Sequence, residues 1–172
     1  MKISTLLICC LFFSACAPRS GGRATPPHLV YPEDRREEGV SCGSLTGEAC
    51  GILQDTNFQR RKNGLGLLHV SELCRRVAEA HALDMAKNSF FSNSSPHYGT
   101  FAERARREGL SGYAGENLAR GFSPDLVVSF WMNSIDHRTN LLDPRYRSMG
   151  VAVALDRAGL IYVAQCLTEE LD

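Results

Sequence analysis

The chain has 172 residues, and its 19 Lys and Arg balance its 19 Asp and Glu, for a formal net charge of zero. The basic residues are not gathered into one block, which argues against the basic face that a nucleic-acid partner needs. Once the two ends are set aside, the length suits one domain with a proper hydrophobic core.

Met1-Lys2 supplies a short positive start, and Ile3 to Phe13 is an apolar run too short to span a bilayer. Phe13-Ser14-Ala15-Cys16 then reads as a lipobox, two small residues before a cysteine that is lipidated (palmitate) after cleavage. Phe13 stands where Leu is usual, so a plain secretory signal is the competing reading. The expected organisation is a lipoprotein signal peptide over 1–15, a lipidated flexible tether over 16–45, a folded domain over 46–168 and an acidic tail over 169–172. The tether is rich in Pro, Gly and mixed charge, with few large apolar residues. The expected location is exported and lipid-anchored to the cell membrane through Cys16. Ala17 carries no Asp retention signal, so in a cell with two membranes the anchor is expected in the outer one, facing periplasm or surface. A monomer is expected.

In the domain, Glu48 to Lys62 reads as a helix ended by Asn63-Gly64. Gly66 to Val70 leads into a second helix capped by Ser71. There Val70, Leu73, Cys74, Val77, His81 and Met85 recur at helical spacing and should face the core. His81 is read as a hydrogen-bonded core histidine. Asn88 to Gly99 is a loop, followed by a charged helix over Thr100 to Glu108. Its Glu103–Arg107 and Arg104–Glu108 spacings suggest a solvated face laced by i,i+4 pairs. Tyr113 to Arg120 reads as a strand, and Ser123-Pro124 starts a helix whose apolar stripe is Leu126, Val127, Phe130 and Trp131. Met149, Val151, Val153 and Leu155 then alternate with Gly150, Ala152 and Ala154. Asp156 to Gly159 makes a turn, and Leu160 to Leu167 returns as the partner strand.

Beyond Cys16 and the two leader cysteines, Cys42, Cys50, Cys74 and Cys166 remain, an even number in an exported chain. Three connectivities exist; Cys42–Cys50 with Cys74–Cys166 is preferred. No Cys/His spacing suggests a structural zinc site.

Two stretches carry usable chemistry, Gly115-Glu116-Asn117 and Trp131 to Asn140 with His137. With Asn57-Phe58-Gln59-Arg60 and the Gly150–Gln165 hairpin, they closely resemble the bacterial branch of the CAP superfamily, the secreted SCP-like domains. The likeness runs from about Glu48 to Leu167. It implies an α+β fold, a three-layer α/β/α sandwich around a small central antiparallel sheet. It also implies a cleft lined by two His and two Glu, whose places here fall on Asn93, Glu116, Ser134 and His137.

Glu116 and His137 are thus the candidate catalytic pair, and Asn93, His97 and Ser134 the other cleft-lining residues. Asn93 stands where a His is expected, and a neutral amide is a poor zinc ligand and no general base. His97 lies four residues later as a substitute or an exposed loop residue. No cofactor is expected beyond weak divalent metal at Glu116 and His137, because closed zinc sites take four protein ligands and catalytic ones usually three. Ser94, Ser95 and Ser134 are the nucleophile candidates, but none sits in a Gly-x-Ser-x-Gly elbow. The favoured function is a non-catalytic module at the envelope that binds lipid or an envelope component. The alternatives are a Glu/His-dependent hydrolase and a structural scaffold. Asn57, Arg60, Asn117, Arg138 and Asn140 carry several donors each and are expected to tie helices and loops to the sheet.

Overall fold

The computed structural model describes residues 41–45 and 47–171. Cys16, its lipobox and most of the tether lie outside the described residues. Five helices and four strands follow in the order α1 (Gly47–Lys62), β1 (His69–Val70), α2 (Glu72–Asn88), α3 (Phe101–Arg107), β2 (Ala114–Arg120), α4 (Pro124–Asn133), α5 (Ile135–Leu141), β3 (Ser148–Leu155) and β4 (Ile161–Thr168). The strand order is β1-β3-β4-β2. The pairings β3–β4 and β4–β2 are antiparallel, as expected, while the two-residue β1 pairs parallel to β3 and makes the sheet mixed. Among the described residues no helix is long and apolar enough to cross a membrane.

The sheet separates two cores, and strand alternation decides which side chain joins which. Met149, Val151, Val163, Leu167 and Ala119 pack with Leu53, Val127, Val128 and Trp131 on the α1, α4 and α5 side. Leu118, Ala154, Tyr162, Ala164 and Cys166 pack with Cys74, Val77, Ala78, Ala82 and Met85 on the α2 and α3 side. The α4 stripe differs from expectation by one turn position: Val128 is buried and Leu126 is exposed. Trp131 is fully buried, and its indole N–H donates to Leu118 O at 2.9 Å across the edge strand.

The alternation of large and small residues on β3 has a direct steric reason. A Cβ on Gly150 would overlap the backbone of Cys74 and Arg75, so α2 lies against the strand at that point. The same approach brings Cys74 and Cys166 into a disulfide with Cα atoms 5.1 Å apart, and Cys42 is joined to Cys50 at 5.4 Å. Ser71 caps α2 by accepting from Cys74 N.

Buried polar side chains close the other seams. Asn57 donates to Leu68 O and accepts from Leu68 N, which fixes the turn after α1. The Arg60 guanidinium is almost fully buried and donates to the carbonyls of Gly66, Leu141, Asp143 and Tyr146. One side chain thereby ties α1 to the segment between α5 and β3 and satisfies carbonyls that no ladder reaches.

The Cys74–Cys166 bridge spans 92 residues of sequence. In the chain-entropy description a loop of that size is worth roughly 4–5 kcal/mol. Cys74→Ala/Cys166→Ala is expected to lose about that much in urea unfolding, roughly twice as much as Cys42→Ala/Cys50→Ala, whose loop is 8 residues.

Candidate site at the edge strand

β2 is the edge of the sheet and holds both halves of the motif Glu116-Asn117. Alternation sends them to opposite faces. Glu116 shares its face with Leu118, toward α2 and α3, and Asn117 shares the other with Ala119.

On the first face each oxygen of the Glu116 carboxylate accepts a hydrogen bond. Oε1 accepts from Arg104 Nη2 at 2.6 Å, and Oε2 accepts from Asn93 Nδ2 at 3.0 Å. The two side chains of the ion pair are 4% and 3% exposed. Arg104 is further tied by Nη1 to Asn93 O and Gly99 O, both at 2.9 Å, while its buried Nε has no partner. Burial pushes the Glu116 carboxyl above the usual carboxylate range, and Arg104 and Asn93 pull against that rise.

Arg104 is therefore not on a solvated face, and the expected i,i+4 pairs are not the ones formed. Glu103 closes a capping box with Thr100, and Glu108 pairs with Arg76. The reason is visible on the helix: Phe101, Arg104 and Ala105 fall on one side, and Ala105 is in the core. That 1-4-5 spacing was the available signal for Arg104.

On the second face, Asn117 is buried. It donates to His137 O at 3.2 Å and to Gln165 Oε1 at 3.1 Å. Asn140 donates to Glu116 O at 3.1 Å and to Asn117 Oδ1 at 3.0 Å. Arg138 Nη1 donates to Met132 O and so ties α5 to the end of α4. The second motif thus docks on the strand through its amides and main chain. The His137 ring lies 5.6 Å from Phe130 and 6.5 Å from Trp131, centroid to centroid, and its buried Nδ1 has no hydrogen-bond partner. Burial lowers the imidazole pKa, against Asp136, which raises it. The side-chain hydrogen bonds of Glu116 go to Arg104 and Asn93, and none joins it to His137.

Ser134 ends α4 and begins α5, making no side-chain cap bond, so the helix does not run unbroken to His137. His97 is exposed and packs edge-on with Tyr98. Ser94 is exposed. Ser95 is buried; its hydroxyl donates to Asp84 Oδ2 at 2.5 Å and accepts from the amides of His97 and Tyr98, a turn-forming role. Among the described residues no three His, Cys, Asp or Glu side chains gather in a group that could hold a metal ion.

His81 borders the same loop. It is fully buried and hydrogen-bonds Ser92 O through Nε2 at 2.9 Å. A carbonyl only accepts, so Nε2 carries the proton and Nδ1 is bare. Burial and then the Arg104 charge bring its pKa down to about 4, against the Ser92 bond and Asp84.

Two outcomes follow from this geometry. Arg104→Met should cost about 3–5 kcal/mol at pH 8, because it strands a buried carboxylate. The loss should shrink as pH falls and Glu116 takes up a proton, and adding Glu116→Gln should recover most of it. His81 is neutral in the folded chain but titrates at its ordinary value when unfolded. Its contribution is complete above about pH 6.5 and is lost down to about pH 4, roughly 3–4 kcal/mol in all. Urea titrations between pH 7 and 4.5 should show that slope, and His81→Gln should flatten it.

The comparisons with known proteins agree with this architecture. The sequence profile of CAP, the cysteine-rich secretory protein family, matches residues 53–167. The uncharacterised protein YkwD of Bacillus subtilis is 36% identical over 116 residues, which cover 66% of this chain and 44% of that protein. The uncharacterised membrane protein YlbC of the same organism is 38% identical over 105 residues, 59% of this chain and 30% of that one. The chain therefore spans less than half the length of both relatives. A crystal structure of an extracellular SCP-domain protein from Bacillus anthracis superposes with a TM-score of 0.65 at 31% identity, covering 72% of this chain and 41% of that one. An outer surface protein of Borrelia burgdorferi shares the fold with a TM-score of 0.65 at 19% identity, covering 70% and 90%. By profile, sequence and fold, the chain belongs to the CAP family of cysteine-rich secretory proteins and carries a domain of the bacterial extracellular type.

Proposed function

We propose that this is an envelope-anchored CAP-domain lipoprotein whose domain is a non-catalytic module for a lipid or another envelope component. One observation carries the non-catalytic part: both oxygens of Glu116 are taken, by Arg104 and Asn93. A general acid or base must reach the proton it moves. A carboxylate held by a buried guanidinium on one oxygen and an amide on the other has no hydrogen bond to His137. Asn93, in the place of a histidine, supplies a hydrogen bond where a ligand or base would otherwise stand. Divalent metal at Glu116 would have to displace Arg104, a buried cation already in place.

The anchoring part rests on the lipobox ending at Cys16. Several acyl chains contribute about 0.8 kcal/mol per buried CH₂, enough to hold a domain at a membrane without a spanning helix. The two disulfides fit an oxidising compartment outside the cytoplasm. The ligand-binding part follows the extracytoplasmic setting of the domain and the absence of a working acid/base pair.

The test has two arms. Intact mass of the membrane fraction should show a mature chain that begins at an acylated Cys16, and Cys16→Ala should block processing. An unmodified chain beginning elsewhere would reject the anchor. In the second arm the purified protein is assayed on casein and on p-nitrophenyl esters, and its organic extract is analysed by mass spectrometry. A bound lipid or envelope component and no turnover are expected. Hydrolysis abolished in both Glu116→Gln and His137→Ala, with folding intact, would make the domain an enzyme.

A further inference from the structure

A sheet has two outer edges, and an edge left bare presents a row of unpaired N–H and C=O groups. In this chain one edge is closed and the other is not. At β2 the outward carbonyls of Glu116 and Leu118 are met by the side chains of Asn140 and Trp131. On the far side β1 covers only the start of β3. It ends at Val70, opposite Met149, and Ser71 then turns the chain into α2. Arg147 O and Met149 O accept from His69 N and Ser71 N, both at 2.9 Å, so the odd-numbered residues of β3 turn their main chain outward. The register with β4 runs unbroken from Ser148 opposite Thr168 to Leu155 opposite Ile161, and Asp156 N then donates to Leu160 O. That alternation therefore holds to the end of the strand. The main-chain groups of Val151, Val153 and Leu155 point away from β4, and among the described residues they have no partner there.

This bare edge lies in a groove of about 220 Å³. Glu48 and Ala49 at the start of α1 form one wall, and Arg75, Glu79 and Ala82 of α2 form the other. Leu83 stands at the α2 rim, 55% exposed, and Leu155 at the end of the edge, 62% exposed. The charges of the two walls are mostly acidic. Arg75 is held between Glu72 and Glu79, 2.8 Å from each, while Glu48 has no ion pair among the described residues. One cation against three carboxylates leaves the groove net negative. Lys87, one turn beyond Leu83 on α2, is not part of the lining.

We infer that the β3 edge takes up, as an added strand, an extended peptide of another protein that carries basic side chains among apolar ones. An extended main chain is the partner whose donors and acceptors match the spacing of Val151, Val153 and Leu155. Its side chains alternate between the two walls, where Glu48 and Glu79 meet cations and Leu83 and Leu155 meet apolar groups. The groove is smaller than the roughly 300–1,000 Å³ of small-molecule pockets. Val151 is buried although its edge is unpaired, so the edge is recessed. A single strand enters such a groove. The same edge of a second copy, recessed between its own helices, does not reach it. The site goes beyond the lipid or envelope ligand proposed above: it lies on the opposite edge of the sheet and uses none of the residues around Glu116, so either reading can fail while the other stands.

The test uses the chain from residue 17 onward, which keeps every described residue and both disulfides. The probe is a short blocked peptide of alternating valine and lysine, and the readout is amide hydrogen exchange. In the free chain the Val153 and Leu155 amides should exchange faster than those of Ala152 and Ala154, which face β4. The peptide should slow Val153 and Leu155 by about tenfold or more and leave β2 unchanged. The same peptide with methylated amide nitrogens should have no effect. Val153→Pro, which removes an outward N–H and no bond to β4, should also abolish protection of Leu155. A valine–glutamate peptide, or Glu48→Gln/Glu79→Gln with the lysine peptide, should bind about fivefold more weakly. Unprotected Val153 and Leu155, or equal protection by the methylated peptide, would overturn the inference, and equal binding of the glutamate peptide would overturn the choice of a basic one. Protection without peptide that rises with chain concentration would overturn it in favour of a second copy. Protection without peptide in the monomer would overturn it in favour of a segment of the chain itself.

Discussion

A carboxylate on the edge strand of a sheet, turned inward and cut off from water, is tolerated only if a cation comes with it. The Glu116–Arg104 pair meets that condition, and much of the surrounding structure is arranged to hold it. α3 is short, capped at Thr100 and oriented so that Arg104 points into the protein. The loop before it is drawn in by two hydrogen bonds of Arg104 and by Asn93, which turns its amide to Glu116 and its carbonyl to Arg104. Even the neutrality of His81 depends partly on that positive charge. Loss of either partner leaves the other buried and alone.

The opposite face of the same strand is governed by neutral amides. Asn117, Asn140 and Gln165 form a chain of hydrogen bonds that joins β4, β2 and α5, and Asn117 fastens the main chain of His137. Arg60 performs the comparable task one layer away, between α1 and the start of β3. The motif residues of this domain are therefore largely seams. They satisfy backbone groups where helices cross an edge that no further strand covers. His137 presents its ring to Phe130 and Trp131, an apolar neighbourhood that favours the neutral imidazole.

Much of this was legible in the residues. The β3–β4 hairpin, the Pro124 start, the Ser71 cap and the roles of Asn57, Arg60 and Trp131 follow from periodicity, turn chemistry and donor inventory, and the structure places them accordingly. The two-residue β1 carries no periodic signal, and its parallel pairing emerges only when α1 and α2 are folded around it. The pairing of Glu116 was hidden for a different reason. Charges in one helix suggest partners four residues away, and that local rule is worth only tenths of a kcal/mol. A buried carboxylate elsewhere outweighs it. Phe101, Arg104 and Ala105 share a face, so a stricter reading of the helix would have put Arg104 inward, but nothing local names Glu116 as its partner.

Arg104, rather than His137, controls the charge of Glu116. A carbon-13 titration of its carboxyl, in the wild type and in Arg104→Met and His137→Ala, measures this directly. Removal of Arg104 should move the midpoint sharply upward, and removal of His137 should leave it in place. A midpoint that follows His137 and ignores Arg104 would contradict it, and would restore Glu116 and His137 as a working acid/base pair.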